Sequence, residues 1–76
     1  MPLFFFQITH HTDAFAPTEL ELPDPDAAWE QAVVTAGEVL RDLGGRFRPG
    51  TEWRMDVMDA SHTRIFALRI IAEAYS

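Results

Sequence analysis

The sequence predicts an α+β domain in which a single helix packs on a mainly antiparallel four-stranded sheet, in the order ββαββ. Two observations carry this. The apolar residues recur with period two, then 3.6, then two again along the chain, the periods of strands and helices. Turn and capping residues stand at each change of period, at Pro17, Asp24-Pro25, Gly44-Gly45 and Asp59 to His62. At 76 residues, 47% hydrophobic and 24% charged, the chain reads as one globular domain over residues 1–76.

The first strand, about residues 2–9, places Phe4, Phe6 and Ile8 on one face and Leu3 with Phe5 on the other. Both faces begin apolar, as in a strand covered on two sides. The stretch from His10 to Pro17 reads as a loop, and Thr18 to Leu22 alternates over only enough residues for a short edge strand, in a loose hairpin with the first. Asp24 then suits the N-cap of a helix, Pro25 its first position and Asp26 its positive end. The helix is expected over 25–43, with Trp29, Ala32, Val33, Ala36, Val39, Leu40 and Leu43 in one apolar stripe. Gly37 lies at the edge of that stripe, where it would let a bulky residue such as Trp53 approach. Gly44 is the expected left-handed residue past the helix end.

After a loop from Gly45 to Gly50, the third strand, about residues 52–59, turns Trp53, Met55 and Val57 inward and a mostly polar set outward. Asp59 to His62 forms a turn with the Asp59 carboxylate on its backbone amides. The last strand, about residues 63–72, carries Phe66, Leu68 and Ile70 on one face and Ile65, Ala67, Arg69 and Ile71 on the other. Because the first and last strands are apolar on both faces, the preferred strand order is 2-1-4-3, with 2-1-3-4 left open.

One helix covers only one face of such a sheet. Leu3, Phe5, Met58, Ile65, Ala67 and Ile71 would then form an uncovered apolar patch, the mark of an interface, and a homodimer or a complex with another protein is expected there. The chain has no cysteine, so no disulfide supplements a core that at this length seldom yields more than roughly 3–5 kcal/mol. Six arginines and no lysine stand against twelve carboxylates, a net charge of −6. That balance repels nucleic-acid phosphates and anionic lipid at long range, which argues against a nucleic-acid partner. The apolar run Leu3 to Ile8 has no basic flank and is too short to span a membrane, so no membrane association and a cytoplasmic location are expected.

Three constellations have residue types suited to chemistry. His10, His11 and Asp13 are metal-capable and close in sequence, but His62, which would complete the set, falls at the opposite end of the sheet, ~25 Å away for an eight-residue strand. No metal and no cofactor are expected. Arg46, Phe47, Arg48, Trp53 and Arg54 form a locally basic, aromatic cluster, the composition of a small-anion or nucleic-acid site centred on Arg46, Arg48 and Arg54. The competing account makes Phe47 and Trp53 core plugs and pairs the arginines with Asp42, Glu52 or Asp56. Asp56, Asp59, Ser61 and His62 include acid, base and nucleophile types, yet turn formation explains them and a turn offers little concavity, so no enzyme is expected.

Met1-Pro2 with Phe4-Phe5-Phe6, then Glu21-Leu22-Pro23-Asp24, Gly44-Gly45-Arg46-Phe47, Glu52-Trp53-Arg54-Met55-Asp56-Val57 and Phe66-Ala67-Leu68-Arg69 together resemble a family of short bacterial proteins known as a domain of unknown function. The resemblance runs over about residues 2–71 and departs from the family pattern at His10 to Thr18. It implies a small α+β fold in bacterial cytoplasm and brings no established activity or functional residue. A fainter similarity, of fold alone, is to HicB-like antitoxin domains, which also set a hairpin before a helix. The sequence thus points to a non-enzymatic protein-interaction or self-associating module.

Overall fold

A computed structural model describes residues 2–10 and 13–75. It contains β1 (Leu3–His10), β2 (Asp13–Ala14), β3 (Thr18–Glu21), α1 (Pro25–Leu43), a short 3-10 turn (Gly44–Arg46), β4 (Glu52–Met58) and β5 (Arg64–Ile71). All the strand pairs are antiparallel, and α1 is the single α-helix of the described residues. This is the α+β architecture that the periodicity predicts.

β1 is central. One side of it pairs with β3 through Leu3 to Phe6 and with β2 through Thr9 and His10; the other side pairs with β4, which pairs in turn with β5. In terms of the four expected strands the order is 2-1-3-4, not the preferred 2-1-4-3. β5 therefore lies at an edge despite its apolar residues, and β4 takes the interior despite its polar outer face. The stretch from His10 to Pro17 is likewise not all loop: β2 lies within it, and the Phe15 amide donates to the Ile8 carbonyl at 3.0 Å.

The helix begins as its residues dictate. Asp24 Oδ1 accepts from the Ala27 amide at 2.8 Å, Pro25 opens the first turn, and Asp26 faces the positive end of the helix dipole. At the other end Gly44 takes φ +53° and ψ −130°, outside the left-handed helical well but in a region open to glycine, and its amide donates to the Leu40 carbonyl. Arg46 follows with bonds to the Asp42 and Leu43 carbonyls, which the last helical turn leaves without partners.

The core lies between α1 and one sheet face. Phe4, Phe6, Trp53, Met55 and Val57 are buried there, and across the strands Val57 stands between Phe6 and Phe66, and Met55 between Ile8 and Leu68. The helix meets them with Ala28, Ala32 and Ala36, all at 5% exposure or less. This shifts the expected stripe. Trp29 and Val33 are 40% and 47% exposed, because small side chains let the helix axis come closest to the sheet where the large aromatic residues already fill the space. Trp29 rests at the flank instead, its ring 5.3 Å from that of Phe66 on β5. Gly37 also departs from expectation: it is exposed, and a Cβ there would meet nothing within 4 Å, so no approach of Trp53 depends on it.

Candidate functional site

The sheet face away from the helix is built by the alternate residues of the same strands. Read along β1, its rows are Leu3 beside Glu21; Phe5 between Glu19 and Met58; Gln7 beside Asp56 and then Ala67; Thr9 beside Arg54 and then Arg69. Glu52 and Ile71 continue beyond them. The middle of this face is ionic. Asp56 Oδ1 lies 3.1 Å from Arg54 Nη2 and 3.2 Å from Arg64 Nη1, and Arg69 pairs with Glu52. Gln7, Arg54, Asp56, Met58, His62 and Arg64 line an open concavity of ≈ 650 Å³ here.

These rows divide the six residues expected to form one apolar interface. Leu3, Phe5 and Met58 gather at one end and are half-buried, while Ile71 stands at the other, 55% exposed, beyond the row of arginines. Ala67 is exposed next to Asp56. Ile65 leaves the face altogether. The β4–β5 register shifts between Val57 and Met58, which pair with Phe66 and Arg64, so Ile65 is the unpaired residue of a bulge and packs against the core on the helix side. The bulge breaks the strict alternation on which the expected placement relied.

The turn after β4 holds Asp59, Ser61 and His62 in an arrangement set by the turn itself. Asp59 Oδ1 accepts from the Ser61 amide at 3.0 Å, the Ser61 hydroxyl at 2.7 Å and the Thr63 amide at 3.1 Å. The Ser61 hydroxyl, followed by the two amides, holds the Asp59 carboxyl below its ordinary pKa. Asp59 is thus committed to the turn. His62 has φ +65° and stacks on Phe5, Asp56 belongs to the two arginines, and the carboxylate that meets the Ser61 hydroxyl is Asp59, which also accepts from the amides of the turn.

The basic cluster is also divided. Arg46 bonds the end of α1, whereas Arg54 lies on the opposite sheet face with Asp56; Arg48 is exposed in the loop, with its carbonyl accepting from Thr51. Phe47 is half-buried against the core, its ring 5.8 Å from that of His10, and Trp53 is buried. His10 therefore sits on the helix side at the end of the sheet away from His62, as the strand lengths require. His11 lies outside the described residues. Among the described residues no three His, Cys, Asp or Glu side chains gather as metal ligands. No helix there is long and apolar enough to cross a membrane.

A second surface was not legible in the periodicity. On the helix side of β5, Phe66, Leu68 and Ile70 are only half-buried; Trp29, whose ring lies against Phe66, is exposed, as is Val33 one turn further along the helix. The signal that finds it is side-chain size: a helix stripe of three alanines at i, i+4 and i+8 is too narrow to roof a sheet edge.

A small antiparallel sheet with one helical roof, an ionic outer face and an apolar edge defines a small α+β domain. The chain belongs to the family described as a domain of unknown function (DUF6894), whose model matches residues 3–72. No curated protein and no solved structure matches it.

Proposed function

We propose that this domain is a non-enzymatic interaction module that associates with a second polypeptide, itself or another protein, through apolar surface that its one helix does not cover. What supports this reading is the width of the roof. The alanine stripe of α1 shelters β1 and β4 but leaves Phe66, Leu68 and Ile70 half-buried, with Trp29 exposed against Phe66 and Val33 exposed one turn further along the helix. Contiguous apolar surface at a sheet edge is what interfaces use. The outer face contributes less, because its ion pairs separate the Leu3, Phe5 and Met58 group from Ile71.

Sedimentation equilibrium of the untagged protein at high micromolar concentration, run beside native mass measurement of the protein recovered from its host, tests the reading. The expected result is a species of twice the 8.6 kDa chain mass or a stoichiometric complex. An 8.6 kDa species in both experiments overturns it.

A further inference from the structure

We infer that the occupant of the uncovered edge is a second copy of this chain, its β5 paired antiparallel with β5 of the first about a two-fold axis at Leu68, so that two sheets become one. The inference rests on the interaction reading above and names the partner, the surface and the register.

β5 is an open edge. Apart from its ladder with β4, the only backbone hydrogen bonds at that end of the sheet tie Ala72 to Gly50 and Thr51, and none reaches β5 from its far side among the described residues. Of the usual protections of an edge it carries only the charges of Arg64 and Arg69 and a bulge at its start. There is no proline or lysine from Arg64 to Ile71, and the bulge at Ile65 leaves Phe66 to Ile71 regular. The opposite edge is guarded: β3 has four residues, lies between Pro17 and Pro23, and carries Glu19 and Glu21.

The side chains of β5 are self-complementary in one register. With Leu68 opposite Leu68 of the second copy, Phe66 faces Ile70 on the helix side and Ala67 faces Arg69 on the outer side. The apolar row then continues across the two-fold axis, and the exposed Trp29 and Val33 of each copy extend it. The small Ala67 leaves room for the guanidinium that already pairs with Glu52. Neighbouring registers fail on charge or on face. Centring on Arg69 sets guanidinium against guanidinium, and centring on Ala67 leaves only Phe66 to Leu68 in regular pairing before Arg69 meets Ile65, which the bulge has turned to the other side; centring on Leu68 meets that mismatch only beyond Phe66 and Ile70, at Ile65 against Ile71.

Ala67 is exposed, so it can be changed without disturbing the core. In Ala67→Arg each copy would set an arginine against Arg69 of the other, twice per dimer, and the dissociation constant should rise about tenfold or more while the circular dichroism spectrum and the thermal melt at dilute concentration stay those of the parent. The chain has no cysteine, so Ala67→Cys and Arg69→Cys report the register directly. Under mild oxidation a mixture of the two variants should form a disulfide-linked dimer faster than either alone. A dimer that tolerates Ala67→Arg and shows no preference for the mixed crosslink overturns this inference and leaves the interaction reading standing. A monomer at high micromolar concentration also overturns it, and a complex with a different protein from the host would then separate its failure from that of the broader reading.

Discussion

The His62 imidazole lies stacked on the Phe5 ring, centroids 4.5 Å apart and planes 22° from parallel, so the turn after β4 folds back over the outer face at the start of β1. The contact explains why Phe5 is half-buried on a face with no second layer. Such a pair contributes about 0.5–1.5 kcal/mol beyond the area it covers. His62 also holds φ +65°, which asparagine tolerates better than most residues. A double-mutant cycle of Phe5→Ala and His62→Asn therefore isolates the stacking from the backbone. Urea unfolding should give a coupling energy of about 0.5–1 kcal/mol. Strict additivity of the two losses would mean the rings do not interact in solution.

The closest approach of helix and sheet is made by alanines, and it should tolerate no added volume. Ala32 is fully buried opposite a core that contains Trp53 and Met55. Ala32→Leu forces three extra carbons into that layer and should cost about 1–3 kcal/mol, a large fraction of the stability of a domain this small. The urea midpoint should fall accordingly, with loss of the cooperative transition as the extreme result. An unchanged midpoint would show that α1 sits further from β4 than its buried alanines indicate.

Much of the fold was legible in local pattern, and what was not legible depends on contacts between distant residues. The period-two runs and the Asp24-Pro25 cap located β1, β3, β4, β5 and α1, with the helix spanning Pro25–Leu43 as expected. Strand order does not follow from hydrophobicity, because an apolar outer face does not require an interior position. β4 occupies the interior with Arg54 and Asp56 on its outer face, since these residues pair with each other and Asp56 also accepts Arg64 from across the hairpin. The helix is rotated relative to the stripe of its large apolar residues, which dominate any count of hydrophobicity, because the sheet is met by small ones. At the candidate interface the bulge at Ile65 and the division by charge both follow from the β4–β5 register, which no single segment encodes.

Asp59 makes the acid side of the stability curve testable. Its carboxyl is held below the ordinary value of 3.8 first by the Ser61 hydroxyl and then by the Thr63 and Ser61 amides. The folded state thus binds its proton more weakly than the unfolded chain does. The contribution to stability is complete above the unfolded pKa, and it is lost as pH falls through the lowered folded value. Carboxyl-resolved NMR titration should place the Asp59 midpoint below the ordinary value of 3.8. In Asp59→Asn, thermal melts should lose this part of the acid dependence while the contribution of the other carboxylates persists. A midpoint for Asp59 at or above the ordinary value would show that the hydrogen bonds of the turn are not maintained.

Gly37 provides a stabilising substitution that also probes the edge. It stands mid-helix with open space where a Cβ would be, and glycine there costs about 1 kcal/mol relative to alanine through backbone entropy. Gly37→Ala should therefore raise the unfolding free energy by about 0.5–1 kcal/mol, a rise of a few degrees in Tm for a domain of this size. Position 37 continues the line of Trp29 and Val33 at helical spacing, so the measurement should be made across a range of protein concentration. A gain that holds at all concentrations means the new methyl lies clear of any interface. A gain in dilute solution that vanishes as concentration rises means the second polypeptide packs against this line of the helix, because mass action links the stability of each copy to the contact it makes. Destabilisation at every concentration would contradict the open space around Gly37 and, with it, the placement of α1 on the sheet.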